Sequence, residues 1–153
     1  MNIRLAQQED KEPILSLLDE LILQANIKSG SPPASAEKAE AKSKLYDELI
    51  AREDVKIFVA EHENAIVGVA DLFIVPIMRR GYYQGHIEDF VVTEKMRGKG
   101  VGSMILRKIK EYCKKNNIRV IKLTTAIEFK EAQAFYEKNG GKFTEKMYRF
   151  DLQ

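Results

Sequence analysis

Three glycines within five residues separate an apolar segment from an amphipathic one in the second half of the chain. The apolar segment is His86–Val92, the glycines are Gly98, Gly100 and Gly102, and apolar residues recur with helical spacing after them. Another apolar run, Arg119–Thr125, follows this helix. A strand, a tight turn, a helix and a second strand form a right-handed crossover whose two strands are parallel neighbours. The pattern around the glycine segment therefore predicts a strand–helix–strand crossover with two parallel strands.

The rest of the chain supplies further strands and helices around this crossover. In order, we predict a strand at Asn2–Ala6, a helix capped by Asp10, a loop at Ser29–Ser35, a helix to about Arg52, a hairpin whose second strand Ala65–Val75 ends at Pro76, a turn at Met78–Gly85, the crossover, a helix at Lys130–Asn139 and a closing strand or hairpin at Lys142–Leu152. The order contains no repeat and no obvious linker. It indicates one α+β domain over residues 1–153, built around a mixed sheet.

Composition excludes several classes of protein. With 44% hydrophobic and 31% charged residues among 153, the chain can bury a core and is neither disordered nor collagen-like. No apolar run reaches the ~18 uncharged residues that a membrane-spanning helix needs, so we expect no membrane partner. The first ten residues lack the apolar core of a signal peptide and Cys113 is the single cysteine. We therefore expect a cytoplasmic protein without disulfides.

Charge is distributed unevenly along the chain although the net charge is only +2. Residues 1–54 carry a net charge of −4, whereas residues 94–115 carry +6. This asymmetry suggests a cationic partner on one side and an anionic partner on the other, and solvated helix faces would give the same pattern. Nucleic-acid binding through the basic segment is a further alternative, but the chain lacks a nucleic-acid recognition motif.

The glycine segment has the chemistry of a pyrophosphate site. Glycines let the backbone turn tightly and approach a ligand, so that successive N–H groups point at one anion beside the positive end of a helix. A Walker loop would need Lys-Ser/Thr after the last glycine, where this chain has Ser103-Met104. The dinucleotide fingerprint meets Ser103 in place of its third glycine. What remains is R-x-x-G-x-G, formed by Arg97, Gly100 and Gly102.

With its context, this motif resembles the GNAT superfamily of acyl-CoA-dependent N-acyltransferases. The strand and loop Phe90–Gly102 resemble the family's coenzyme A motif, and Ala132–Gly140 resembles its A-x-x-F-Y-E-K-x-G helix. The opening Ile3–Ala6, followed by an amphipathic helix, agrees as well. The resemblance implies a mixed, mostly antiparallel sheet of six to seven strands with about four helices, splayed between the fourth and fifth strands. It also implies acetyl-CoA as co-substrate and no metal.

The resemblance assigns residues to the coenzyme. Main-chain groups of Phe90, Val91 and Val92 would pair with the pantetheine arm as an added strand does. The pyrophosphate would be held by the backbone N–H groups of Gly98, Lys99, Gly100, Val101, Gly102 and Ser103. Arg97 and Lys99 would add positive charge nearby. A backbone N–H near Val92 would polarise the thioester carbonyl.

Acid and base roles are assigned in the same way. Tyr136 stands where the family carries the general acid that protonates the departing thiolate. His86 and Glu88 stand where members often carry the base that removes the amine proton, and the base is His86, Glu88 or a water chain. Strand alternation predicts that His86, Glu88, Phe90 and Val92 share one face, with Asp89 on the other.

The expected activity is transfer of acetyl from acetyl-CoA to a primary amine, in a small molecule or a peptide, by direct attack in a ternary complex. The alternative from another class is a catalytically idle domain that senses coenzyme A. A basic nucleic-acid-binding domain is a third and weaker hypothesis. We also expect that the chain can form a homodimer.

Overall fold

The computed structural model describes residues 1–29 and 36–152, and the side chains of these residues outside 24–29 and 36–37. It has six strands and four helices in this part of the chain. They are β1 (Asn2–Leu5), α1 (Lys11–Ser29), α2 (Ala36–Ile50), β2 (Val55–His62), β3 (Ala65–Ile77), β4 (Tyr82–Ile87), β5 (Phe90–Val92), α3 (Val101–Lys115), β6 (Ile118–Leu123) and α4 (Lys130–Lys138). The predicted loop at Ser29–Ser35 lies outside the described residues, apart from Ser29.

The strands form one mixed sheet in the order β1-β2-β3-β4-β6, with β5 paired to β3. All neighbours are antiparallel except β4 and β6, which are parallel. Helix α3 connects these two strands, so the predicted crossover is confirmed. The α+β class and the single mixed sheet are confirmed as well.

Each face of the sheet carries its own apolar core. Phe58, Leu72 and Ile87 meet α3 on one face, through Ile105 and Ile109. On the other face, apolar residues of α1 and α2 contact alternate residues of the central strands. The helices contribute Ile14, Leu17 and Tyr46, and the strands contribute Val55, Ile57, Val59, Val69 and Val91. Burial of two faces explains why β2 and β3 are almost continuously apolar. We call these surfaces the α3 face and the α1 face.

The turn between β3 and β4 is shorter than the sequence predicts. β3 continues through Pro76 to Ile77, and β4 begins at Tyr82. The N–H of Ile74 points towards β2 and donates to the C=O of Asp54, just before β2 begins. The backbone nitrogen of Pro76, two residues later, points to the same side but lies beyond the N-terminal end of β2. Its missing N–H therefore costs no hydrogen bond between strands. Gly81 then closes a tight turn with a φ of +62°.

The predicted closing strand or hairpin is wrong for the single chain. Residues 142–152 are in neither a helix nor a strand, although the sequence pattern there is that of a strand. Their large apolar side chains are mostly exposed. Phe143 and Phe150 are each 85% exposed.

No helix among the described residues is long and apolar enough to cross a membrane. Within the same residues, no group of three or more His, Cys, Asp or Glu side chains is arranged to hold a metal ion.

Candidate active site

A gap opens in the sheet where β4 gives way to β5. β4 pairs with β6 as far as Ile87, whose partner is Leu123. Residues Phe90–Val92 then pair with β3 alone. The strand predicted as continuous from His86 to Val92 is therefore interrupted at Glu88 and Asp89, and the sheet is splayed at this point.

A buried carboxylate holds the interruption in place. Asp71 of β3 is 8% exposed and accepts hydrogen bonds from the backbone N–H groups of Glu88 at 2.8 Å and Asp89 at 3.0 Å. These are the two residues that leave the regular strand, and their part-buried N–H groups are paired with a side chain in place of a strand partner. Burial raises the pKa of Asp71 to about 6 against the opposing effect of these hydrogen bonds. Asp71 thus fixes the splay, a role that sequence reasoning missed; its signal is a carboxylate within an apolar strand.

The interruption shifts the side-chain alternation along the strand. Ile87, Phe90 and Val92 all pack against the core of the α3 face, whereas Val91 belongs to the core of the α1 face. His86 is the Cα partner of Phe73, which packs on the α1 face. The prediction that His86 shares a face with Phe90 and Val92 is therefore wrong, because one extra residue in a strand reverses the orientation of all that follow.

His86 and Glu88 form a pair beside the gap. Nε2 of His86 lies 2.9 Å from Oε2 of Glu88. The side chains are 30% and 63% exposed, so both the imidazole and the carboxylate are open to solvent. The carboxylate can orient the ring through this contact. The two candidate bases are thus one hydrogen-bonded unit.

The glycine loop has the backbone geometry of an anion site. Gly98 and Gly100 have φ values of +72° and +83°, and a Cβ on either would meet nothing within 4 Å. The first hydrogen bond at the start of α3 runs from Met104 N–H to Gly100 C=O. The six preceding N–H groups, of residues 98–103, donate to no group in the described part of the chain. These amides at the positive end of a 15-residue helix can converge on a diphosphate.

The Arg97 side chain contacts the end of β5 and helix α1. Its Nε donates to the C=O of Val92 at 2.9 Å, and its Nη2 lies 3.6 Å from the carboxylate of Glu20 on α1. Glu20 also accepts hydrogen bonds from the N–H of Glu94 at 2.9 Å and the hydroxyl of Thr93 at 3.1 Å. These contacts tie the loop to α1, and the expectation that Arg97 adds charge near the pyrophosphate stays a prediction.

Backbone direction decides which residues of β5 face the gap. The C=O of Asp89 and the N–H of Thr93 both hydrogen-bond β3, at 3.1 and 2.9 Å. Because backbone groups alternate along a strand, Val91 also faces β3, and its backbone is turned away from the gap. Phe90 and Val92 face the gap. Since Arg97 occupies the C=O of Val92, the groups left for a ligand are the N–H of Val92 and both groups of Phe90.

Tyr136 lies on the opposite side of the gap from His86. Its ring is edge-on to that of Phe90, with centroids 6.2 Å apart, and Phe90 packs on the α3 face. Burial raises the pKa of Tyr136 to about 12, so the phenol remains protonated at neutral pH. Gly102 of α3 packs closely against α4, since a Cβ there would lie 3.1 Å from the ring of Phe135. Acid and base candidates thus flank one opening from two faces.

A cleft of about 610 Å³ lies apart from these residues. It is bounded by α1 and the turn between β2 and β3, with Glu9, Asp10, Glu20 and Glu61 among its lining residues. It contains none of His86, Glu88 or Tyr136. The candidate site is the split in the sheet, which is an open slot between strands and not an enclosed cavity.

Comparison with known proteins agrees with this geometry. The sequence matches the profile of the Acetyltransferase (GNAT) family over residues 21–141. It is 34% identical over 98 residues to a glucosamine 6-phosphate N-acetyltransferase of Trypanosoma brucei brucei. That alignment covers 63% of this chain and 65% of the relative, so the chain spans slightly less than two thirds of the relative's length.

Solved structures share the fold over the full chain. An acetyltransferase of Trypanosoma brucei superposes with a TM-score of 0.72 at 27% identity, covering 99% of each chain. Glucosamine-6-phosphate N-acetyltransferase from Arabidopsis thaliana superposes with a TM-score of 0.77 at 24% identity, covering 99% of this chain and 98% of that one. The family match spans both the interrupted strand and the glycine loop, and the chain therefore belongs to the GNAT family of acetyltransferases.

Proposed function

We propose that this chain transfers the acetyl group of acetyl-CoA to a primary amine by direct attack in a ternary complex. The observation that carries the proposal is the run of N–H groups from Gly98 to Ser103, which have no acceptor among the described residues and lie beside the gap in the sheet. A diphosphate is the part of coenzyme A that such a run would bind. The pyrophosphate site in the loop and the acyl-transfer site in the gap support each other, because only residues 93–97 connect β5 to the loop.

The residues present fit the pyrophosphate and the pantetheine arm of the coenzyme. The amides of residues 98–103 would hold the pyrophosphate, and the Lys99 side chain would add charge at the rim of the loop. Phe90 and the N–H of Val92 would pair with the pantetheine arm as β6 does with β4 further along. The N–H of Val92 also lies where it could stabilise the oxyanion that forms on attack.

The chemistry then divides between the two faces. A protonated amine cannot attack, and a lysine-like amine with a pKa of ~10.4 is almost all protonated at pH 7. The His86–Glu88 pair takes the amine proton, directly or through water, as the N–C bond forms. The S–C bond breaks on the other side of the gap, where Tyr136 gives its proton to the thiolate and regains one from solvent. The protein contributes alignment and proton transfer; the acyl thioester supplies the reactive carbon.

An amino sugar phosphate is the acceptor that we propose to test first. The support is the relative from Trypanosoma brucei brucei, which is named for glucosamine 6-phosphate and is 34% identical over the matched region. Polyamines, aminoglycoside-like compounds and lysine peptides suit the acidic N-terminal half equally well and complete the panel.

The test is release of coenzyme A thiol from acetyl-CoA in the presence of each amine, with non-amine hydroxyl analogues as controls. We expect thiol release with at least one amine and formation of one N-acetyl product per thiol. Heat of coenzyme A binding without turnover on any amine would instead support the idle sensor. Absence of both binding and turnover would overturn the proposal.

Two variants separate the candidate bases. His86→Ala should lower kcat and shift the acidic limb of the pH–rate profile if the imidazole takes the proton. Glu88→Gln keeps a hydrogen-bond partner for His86 and should then cost less. If Glu88→Gln is the more damaging change, the carboxylate or its water is the base; unchanged profiles in both would leave bulk water in that role.

A further inference from the structure

The linker between β6 and α4 joins one wall of the gap to the helix that carries Tyr136. β6 ends at Leu123, which pairs with Ile87 at the point where the sheet splits. α4 begins at Lys130, so residues 124–129 connect the two elements. The course of this linker therefore decides where α4 lies relative to the gap.

Burial alone does not fix this part of the chain. Ala126, Ile127 and Glu128 are exposed, and Ile127 is 77% exposed although its side chain is apolar. None of the nine residues of α4 is fully buried. A helix this short is only marginally stable without tertiary contacts. Polar contacts therefore contribute to the position of α4, together with the packing of the Phe135 and Tyr136 rings.

Gln133 makes the polar contacts that join the linker to α4. Its side-chain amide donates to the C=O of Ala126 at 3.0 Å and to the C=O of Ile127 at 3.1 Å. The C=O of Ala126 also accepts the N–H of Phe129 at 3.1 Å, which closes the turn 126–129. The side-chain amide of a glutamine carries two protons, one for each carbonyl. Gln133 thus ties the first two residues of this turn to α4.

Gln133 and Tyr136 are neighbours on the surface of the same helix. Their positions differ by three, a spacing at which side chains lie next to each other on a helix. The far end of α4 is held by Lys110, whose Nζ donates to the C=O of Asn139 at 2.7 Å. Tyr136 therefore lies between two tethers, and the one formed by Gln133 leads back to the gap.

We propose that Gln133 is a positioning residue for acyl transfer, which holds the Tyr136 hydroxyl at the gap by fixing α4 to the turn that follows β6. This inference rests on the proposed function, in which Tyr136 protonates the departing thiolate. Gln133 itself moves no proton, because its amide donates to two backbone carbonyls. Displacement of a reacting group by about 1 Å can cost about 100-fold in rate, so the loss of both contacts should be visible in turnover.

Gln133→Glu is the most direct variant, because a carboxylate has the same shape and no proton to donate to the carbonyls. It should lower kcat roughly ten- to 100-fold. The KM for acetyl-CoA should change less than about threefold, because the amides proposed to hold the diphosphate lie before α3 and not on α4. Gln133→Lys keeps donors on a long side chain and should retain most of the rate. Glu131→Ala is the matched control at an exposed position of α4 and should leave kcat unchanged.

A double-mutant cycle separates positioning of Tyr136 from a general structural role. If Gln133 acts through the phenol, Gln133→Glu should lower the kcat of Tyr136→Phe by less than about twofold. A decrease as large as in the unaltered chain would mean that Gln133 acts elsewhere, and it would overturn the proposal. An unchanged kcat in Gln133→Glu, with Tyr136→Phe slow, would also overturn it and would leave the proposed function intact.

The NMR signal of the Tyr136 phenol ring gives a readout that does not need turnover. The signal is assigned by its loss in Tyr136→Phe. It should shift in Gln133→Glu and stay in place in Glu131→Ala, because only the first change releases the turn from α4. An unmoved signal in both variants would overturn the proposal. Absence of thiol release from the unaltered chain with every amine would instead overturn the proposed function, and this inference with it.

Discussion

The carboxylate of Asp71 accepts the backbone N–H of Glu88 at 2.8 Å, across 17 positions of sequence. The same oxygen accepts the N–H of Asp89 at 3.0 Å. These bonds compensate the two amides that leave the ladder where the sheet opens. The gap that we propose as the acyl-transfer site is therefore held by one buried side chain on the neighbouring strand.

Asp71→Ala should lower the free energy of unfolding and the rate of acyl transfer together. It removes the acceptor of two part-buried N–H groups, and the cost of about 1–3 kcal/mol for a fully buried unpaired group is an upper bound for each of them. Asp71→Asn retains an acceptor oxygen and should keep most of both quantities. Chemical denaturation and initial rates measure the outcome. Equal loss in the two variants would mean that the charge, and not the acceptor, holds the interruption.

Stability should depend on pH through the same residue. Burial raises the pKa of folded Asp71 to about 6, from 3.8 in the unfolded chain, so the folded state binds the extra proton between these values. We therefore compare the free energy of unfolding of the unaltered chain with that of Asp71→Asn. This difference should fall by up to about 3 kcal/mol as the pH rises from about 4 to 6, and it should be constant above pH 6. A flat difference across this range would contradict the assignment.

Gly100→Ala should weaken coenzyme A binding at least tenfold, because its Cβ would project from a left-handed residue into the open side of the loop. Gly81→Ala is a matched control, since Gly81 also has a positive φ and no heavy atom within 4 Å of its Cβ position. Both variants should lose about 1 kcal/mol of stability from backbone strain. Calorimetry should show weaker binding of coenzyme A by Gly100→Ala and unchanged binding by Gly81→Ala. If both variants bind coenzyme A equally well, the diphosphate does not bind at this loop.

Tyr136→Phe should reduce kcat on the order of 100-fold while leaving the KM for acetyl-CoA nearly unchanged, because it removes a proton donor and keeps the ring. Tyr83→Phe makes the same chemical change at a side chain that is 55% exposed and should be silent. Since the pKa of Tyr136 is about 12, ionisation of this residue should not limit the rate below about pH 10. Turnover of Tyr136→Phe at the unaltered rate would exclude it as the acid.

Glu20→Ala should weaken coenzyme A binding, because Thr93 and Glu94 lose the acceptor that holds the loop against α1. Glu20→Gln keeps an acceptor and removes a negative charge near the diphosphate, so its affinity should be unchanged or higher. Glu12→Ala, on the exposed side of the same helix, is the control for net charge. If Glu20→Ala and Glu12→Ala bind coenzyme A equally well, Glu20 does not position the loop.

The elements around the glycine loop could be predicted because their causes are local. Gly98 and Gly100 adopt left-handed conformations that few other residues tolerate, and Val101, Ile105 and Ile109 follow at helical spacing. The sequence also identified Tyr136 and the pair His86 and Glu88 as candidates, by their positions in motifs. Nothing in these local patterns required knowledge of the rest of the chain.

The features that local patterns do not predict depend on residues that lie far apart in the sequence. Alternation along His86–Val92 was extrapolated through Glu88 and Asp89 because the residues themselves carry no sign of a break. The contacts of Arg97 depend on Glu20, which lies on α1. The end of β3 depends on where β2 begins, because Pro76 fits in a strand only where no neighbouring strand needs its N–H. The alternating pattern of residues 142–152 predicts a closing strand, but these residues are in neither a helix nor a strand.

The amino-acid sequence by itself determined the order of strands and helices and the left-handed turns of the glycine loop, and it supplied the candidates for the reactive side chains. These follow from spacing over a few residues and from backbone sterics. Only the tertiary structure decided that the sheet splits at Glu88, that His86 and Tyr136 flank the split from opposite faces, and that Arg97 contacts α1. The physical reason is that a strand whose N–H groups donate to a distant residue such as Asp71 is shifted by one position, and that single shift reverses every side chain beyond it.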